Sequence, residues 1–177
     1  MAPIPIRMPS VSVHLHADPR LAFQVITAFG SSSLAEGANS PGKTRVLRRE
    51  DGRLLVEFHT AGRNLLGRRK TYRTVEWVTL QEPDRIDFDG VEGPLALLCD
   101  RFDLADDRGC TLLAYHSTFG LKAWVAGWLF GILVVRPMLG RMMREHLAEL
   151  KETIEARARR SKVSPWPPCG LEDVRVD

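Results

Sequence analysis

From Lys43 to Phe119 polar and apolar residues alternate with a period of two, and only short polar turns interrupt the pattern. Successive side chains on a strand point to opposite faces, so such runs read as strands with one buried face. Asp51-Gly52 lies between Arg45–Arg49 and Arg53–His59 and is a strong hairpin signal. Further runs cover 67–79, 86–91, 95–104 and 110–119, with turns at Glu82-Pro83-Asp84, Gly93-Pro94 and Asp106–Gly109. Strands joined this closely are antiparallel neighbours. An opening run, VSVHL, adds Val11, Val13 and Leu15 on one face and puts His14 and His16 on the solvent side.

The apolar face of such a sheet needs a cover. The only stretch long and apolar enough is helical, from Leu121 to about Arg160, with Pro137 expected to kink or divide it. Before the sheet, Asp18 can cap a helix with Pro19 in its first turn, and Ala22, Phe23, Ile26 and Phe29 make its apolar face. A short second helix is expected around Leu34–Glu36. The expectation is an α+β fold, a curved antiparallel seven-stranded sheet wrapped around a long C-terminal helix. Space left between sheet and helix is a natural ligand cavity.

With 177 residues one domain is the default. It is placed at 10–160, with an N-terminal extension at 1–9 and a flexible, proline-rich tail at 161–177. Hydrophobic residues at 44% and charged residues at 27% exclude wholesale disorder. A net charge of +3 is too small to argue for nucleic acid. Cys99, Cys110 and Cys169 are odd in number and not spaced as metal ligands, so reduced thiols in a cytoplasmic protein are expected. No secretory leader is read in MAPIPIRMPS.

Three passages carry a family resemblance: VSVHLHADPRLAFQVITAF, TYRTVEWVTLQEPDRIDF and RPMLGRMMREHLAELKETIEAR. In their order and in the elements they imply, they resemble the SRPBCC superfamily. It is also called START or birch-pollen-allergen-like, and the nearest likeness is to its polyketide cyclase/dehydrase-type branch. The resemblance covers about residues 9–160 and implies a helix-grip fold with a cavity for a hydrophobic small molecule, lipid-like, quinone or polycyclic. Nothing resembles the Rieske segment of the family's oxygenases, and no cofactor or metal is expected.

Hairpin counting and the family-like orientation together set the inner face. With Gln81 opposite Ile86, the residues Val75, Trp77, Phe88, Phe102, Leu104, Leu113 and Phe119 face the helix, and Arg69 and Arg73 share their side. Pairing Asp106 with Gly109 sets Asp100 opposite Tyr115 on the same face. A buried Arg must be paired, so Arg73 with Asp100 and the Tyr115 hydroxyl would form a polar end to the pocket. Met142 and His146 on the terminal helix complete the expected ligand-binding set, and Trp124 and Trp128 line its mouth.

The alternative is an enzyme, a polyketide cyclase or aromatase in which Arg73 and Tyr115 stabilise an enolate, with Asp100 as a third candidate. Nothing in the sequence requires catalysis. The basic run Arg63, Arg68, Arg69, Lys70 and Arg73 is either an anion site or a solvated strand edge. The apolar run Ala123–Val135, 13 residues long, falls short of the ~20 that cross a bilayer. It is read as a gate over the cavity, or as a lid touching a membrane surface or a second subunit. Monomer and homodimer are both open.

Overall fold

The computed structural model describes residues 2–29, 44–63 and 68–161. The expected helix near Leu34–Glu36 and nearly all of the tail lie outside the described residues. The order of elements is β1 (Ile6–Arg7), β2 (Val11–Leu15), α1 (Pro19–Ile26), β3 (Thr44–Glu50), β4 (Arg53–Arg63), β5 (Arg69–Gln81), β6 (Arg85–Glu92), β7 (Leu97–Asp107) and β8 (Cys110–Gly120). Then come α2 (Trp124–Phe130), a π-helical turn at Gly131–Val135, and α3 (Arg136–Arg160).

One antiparallel sheet runs in the order β1-β8-β7-β6-β5-β4-β3, with β2 sharing the outer side of β8 with β1. The sheet thus has eight strands and not seven, because Ile6–Arg7 in the expected extension pairs with Phe119 and Thr118. Two hairpins close on two-residue turns, Asp51-Gly52 and Arg108-Gly109, whose four residues all have positive φ. That backbone matches the twist of the flanking strands.

Three registers depart from the sequence expectation. In β3–β4, Arg49 lies opposite Leu54 as expected, but a bulge ejects Leu47, and Val46 takes the place opposite Val56. In β7–β8 the two-residue turn sits one residue later than expected, so Asp107 pairs with Cys110 and every partner moves by two. A shift of two leaves the faces unchanged. In β5–β6 the loop holds three residues, Gln81 pairs with Arg85, and the shift is one. A shift of one exchanges the faces.

On β4 and β5 the core side therefore carries Leu54, Val56, Phe58 and Val78, continuing into Phe88 on β6, Phe102 and Leu104 on β7, and Leu113 and Tyr115 on β8. From the helices, Ala22 and Phe23 of α1 and Leu147, Ile154 and Ala158 of α3 join the same core. Burying a side chain such as Leu or Phe is worth about 1.5–3 kcal/mol each, so this cluster is the main fastening. Polar ties fix α3 to the end of β2. Lys151 Nζ donates to the His14 carbonyl (2.8 Å), and the His16 amide donates to Glu155 Oε1 (3.1 Å). His14 is buried, against the expectation of a solvent-facing ring. It lies 3.6 Å from Asp107.

Pro137 produces no sharp break. The helix runs from Trp124 to Arg160, 37 residues, and widens just before the proline, where the Arg136 amide bonds back to the Gly131 carbonyl. A proline has no N–H to give to the preceding turn, and a π turn absorbs that mismatch. By length and composition this helix is apolar enough to cross a membrane, with an 18-residue window of mean hydropathy 1.3. Its C-terminal part is instead committed to the core through Leu147, Ile154 and Ala158. Cys99 is a free thiol, whereas Cys110 is disulfide-bonded, which corrects the all-reduced expectation.

Candidate functional site

Alternation on β4, β6, β7 and β8 brings aromatic rings together on the concave face. Phe58, Phe88, Phe102 and Tyr115 follow one another at centroid separations of 6.1, 5.8 and 5.2 Å, and Phe29 stacks edge-on against Phe58 (5.8 Å) and Phe88 (6.4 Å). Edge-to-face packing at these distances is favourable and makes a stiff apolar wall. Tyr115 ends the row with a hydroxyl.

At that end the wall turns polar. Asp100 lies opposite Ser117 and next to Phe102, which faces Tyr115. Tyr115 and Ser117 both hydrogen-bond the Asp100 side chain. Its Oδ1 is buried with no hydrogen-bond partner among the described residues. Burial raises the Asp100 carboxyl to about 6, against the pull of the two hydroxyls. Two strands away Glu76 is also buried, and Thr74 Oγ1 donates to its Oε1 at 2.7 Å. Burial first, and then the field of Asp100, push the Glu76 pKa upward. Tyr115 is pushed up as well, by burial and then by the Asp100 charge.

Gly90 sits opposite Glu76. On its other side a Cβ there would come within 2.9 Å of Leu98 Cβ on β7, so only glycine keeps β6 and β7 close at this point. A cleft of about 50 Å³ opens beside it, lined by Thr74, Gly90, Gly93, Leu95 and Leu98 among others. On α3 Met142 is half-buried and His146 is exposed, and desolvation lowers the His146 pKa.

The remaining expected site residues fall elsewhere. Arg73 is on the convex face, paired with Glu57 (2.6 Å) and Glu92 (2.7 Å), and does not meet Asp100. Trp77 is also convex, sandwiched by Arg48 and Arg53 at 5.3 and 5.1 Å from its ring centroid. Val75 is buried but lies outside the core cluster, opposite Glu57. Arg69 opens β5 opposite Arg63, and Lys70 sits over the Tyr72 ring. Phe88, Phe102, Leu113 and Tyr115 are where the sequence put them. Trp128 packs under α2 against the Ile6–Phe119–Val135 cluster, while Trp124 is half exposed. Glu76, Ser117 and Phe58 belong to the concave face and were missed. With the β5–β6 loop counted as three residues, alternation alone would have found Glu76. Among the described residues no group of three His, Cys, Asp or Glu side chains could hold a metal ion.

No protein-family model and no curated protein matches this chain. Solved structures do. The di-domain ARO/CYC BexL from the BE-7585A biosynthetic pathway aligns at 19% identity and TM-score 0.64, over 86% of this chain and 51% of that one. This chain therefore spans about half of BexL. The Zhui aromatase/cyclase from Streptomyces sp. R1128 aligns at 15% identity and TM-score 0.63, over 89% and 95%. A START superfamily protein from Mycobacterium smegmatis aligns at 16% and 0.59, over 86% and 97%. At these identities the likeness is one of fold. The chain has the helix-grip fold of the START and aromatase/cyclase structures.

Proposed function

We propose that residues 10–160, with the β1 strand added from the segment before them, form a binding domain for a hydrophobic small molecule. The ligand, lipid-like, quinone or polycyclic, lies between the concave face and α3. It stacks along the aromatic row, and its polar group reaches the Asp100–Tyr115–Ser117 end. The observation that carries this reading is the Asp100 Oδ1 atom, buried and without a partner among the described residues at the end of an apolar wall. An unsatisfied buried oxygen costs about 1–3 kcal/mol, and a ligand hydroxyl or N–H would recover it. Both buried acids favour such a donor over a carboxylate ligand.

Native mass spectrometry of freshly purified protein, followed by organic extraction, tests the reading. A copurified hydrophobic compound supports it. An empty protein that also refuses a hydrophobic fluorescent probe overturns it.

A second reading is catalysis of the cyclase type. The observation favouring it is a carboxyl poised at about 6 and joined to a phenol inside an apolar site, since a base is most effective when its pKa lies near the working pH. In this version Asp100 takes the proton and Tyr115 donates to the developing oxyanion. Arg73 has no part in it. The Zhui and BexL aromatase/cyclases share the fold. Turnover of a poly-β-ketone by the wild type, abolished by Asp100→Asn, is the expected result under this reading.

A further inference from the structure

We propose that α2 and the π turn dock the protein on an anionic lipid bilayer, with the apolar side of the helix set into the headgroup–acyl boundary. Nine large hydrophobic residues are exposed among the described residues, and six of them fall within 124–138: Trp124, Val125, Leu129, Phe130, Leu133 and Met138. Single exposed apolar residues need no explanation, but a contiguous patch does. Leu133, at 72%, is the most exposed of them.

A helix on a soluble domain turns its bulky apolar residues inward. Here the fully buried positions of α2 and the π turn are Gly127, Gly131 and Val135, with Trp128 and Ile132 only partly buried beside them. A Cβ on Gly131 would collide with Ile6 Cδ1, and one on Gly127 would collide with the Lys122 carbonyl. Gly131 thus lets the helix lie close to β1, and Gly127 lets the turn that precedes α2 fold back against it. Trp124, Val125, Leu129, Phe130 and Leu133 are left exposed by that seating. Ala123 and Trp124 reinforce this with left-handed backbone at the start of α2, a conformation that costs non-glycine residues energy and persists only where the surroundings enforce it.

Charge selects the occupant. Between Asp107 and Glu145 the sequence has no acidic residue, while Lys122, Arg136, Arg141 and Arg144 flank or follow the patch. A second copy of the chain would bring the same cations face to face. A surface of anionic lipid would neutralise them, each contributing on the order of 1 kcal/mol. Trp124 beside Lys122 is also the residue pair that suits a membrane interface. This surface stands independently of the ligand reading above.

The experiment is flotation of the full chain with vesicles of phosphatidylcholine alone and of phosphatidylcholine mixed with phosphatidylglycerol, at low and high salt. Binding to the mixed vesicles, weakened by salt, is expected. Leu133→Asp should reduce it about tenfold or more, and Arg141→Ala or Arg144→Ala about fivefold each. Leu133 is mostly exposed, so an unchanged melting temperature and unchanged uptake of a hydrophobic probe in solution separate loss of docking from loss of fold or of the ligand site. Absence of binding to the mixed vesicles overturns the proposal. So does equal binding to both compositions, or a dimer in solution that Leu133→Asp dissociates.

Discussion

Two sets of carboxylates occupy opposite faces of the same strands and behave in opposite ways. On the convex face Glu57 and Glu92 hold Arg73, Asp87 holds Arg101, and Asp103 holds Arg85. Hydrogen bonds from His59 and Arg73 keep the Glu57 carboxyl below its ordinary value. On the concave face Glu76 and Asp100 meet only hydroxyls among their described hydrogen-bond partners, and both are pushed upward. Residue type does not separate the two sets. The kind of partner and access to water do. Cations next to solvent make the convex pairs ordinary surface chemistry, worth little, whereas desolvation makes the concave pair responsive to pH and to a ligand.

The comparison breaks most visibly at the aromatic wall. Phe88→Ala should cost about 3–5 kcal/mol of unfolding free energy. Trp77→Ala on the convex side should cost clearly less, because it loses mainly exposed cation–π contacts; chemical denaturation of both variants gives the ratio. Next comes pH. Asp100 ionises at 3.8 when unfolded and at about 6 when folded. A carboxyl raised by folding favours the folded state while protonated. Its contribution is therefore full below pH ~4 and is lost as pH rises through ~6, by roughly 2–3 kcal/mol. Asp100→Asn should lack that step, which then appears as the difference between the variant and wild-type stability profiles.

Tyr115→Phe should cost about 1–3 kcal/mol by leaving the carboxyl less satisfied. It should also raise the Asp100 titration further, since the Tyr115 hydrogen bond lowers it; carboxyl NMR titration reads that shift. The smallest effect belongs to Arg73→Ala. It should leave probe binding and the Asp100 titration unchanged while Glu57 returns toward its ordinary value, again by NMR titration.

Two hairpins explain how much of this was legible in the sequence. Sequence counting sets the β7–β8 turn one residue early, which moves every cross-strand partner by two and leaves Phe102, Asp100 and Tyr115 on the correct face. The β5–β6 loop was misjudged by one, and Arg73 and Trp77 exchanged places with Thr74, Glu76 and Val78. Alternation is a strong local signal, but the faces of a strand pair depend on loop length modulo two. The sequence Glu82-Pro83-Asp84 does not by itself say whether three or four residues make the turn. Fold class followed from the number of alternating runs and the single covering helix, which tolerate such errors. The buried pairing of Asp100 with Tyr115 survived because its error was even; its partner Ser117 was hidden by the same shift. His14 departs for a different reason: its ring stays on the expected side of β2 but is buried there beside His16 and 3.6 Å from Asp107.

The π turn at Gly131–Val135 makes the C-terminal helix a ratchet with one notch. Each residue of α-helix advances the direction of a side chain by ~100°. With α3 anchored through Lys151 and Glu155, relaxing that turn to ordinary helix at constant length would swing all of α2 by that angle, because a π turn takes up one residue more than an α turn. The glycines would leave their seat, and Leu129 and Phe130 would rotate off the outer side. Deleting one residue of the turn would instead leave α2 and α3 facing as they do, so the surplus residue and the π geometry can be lost together but not separately.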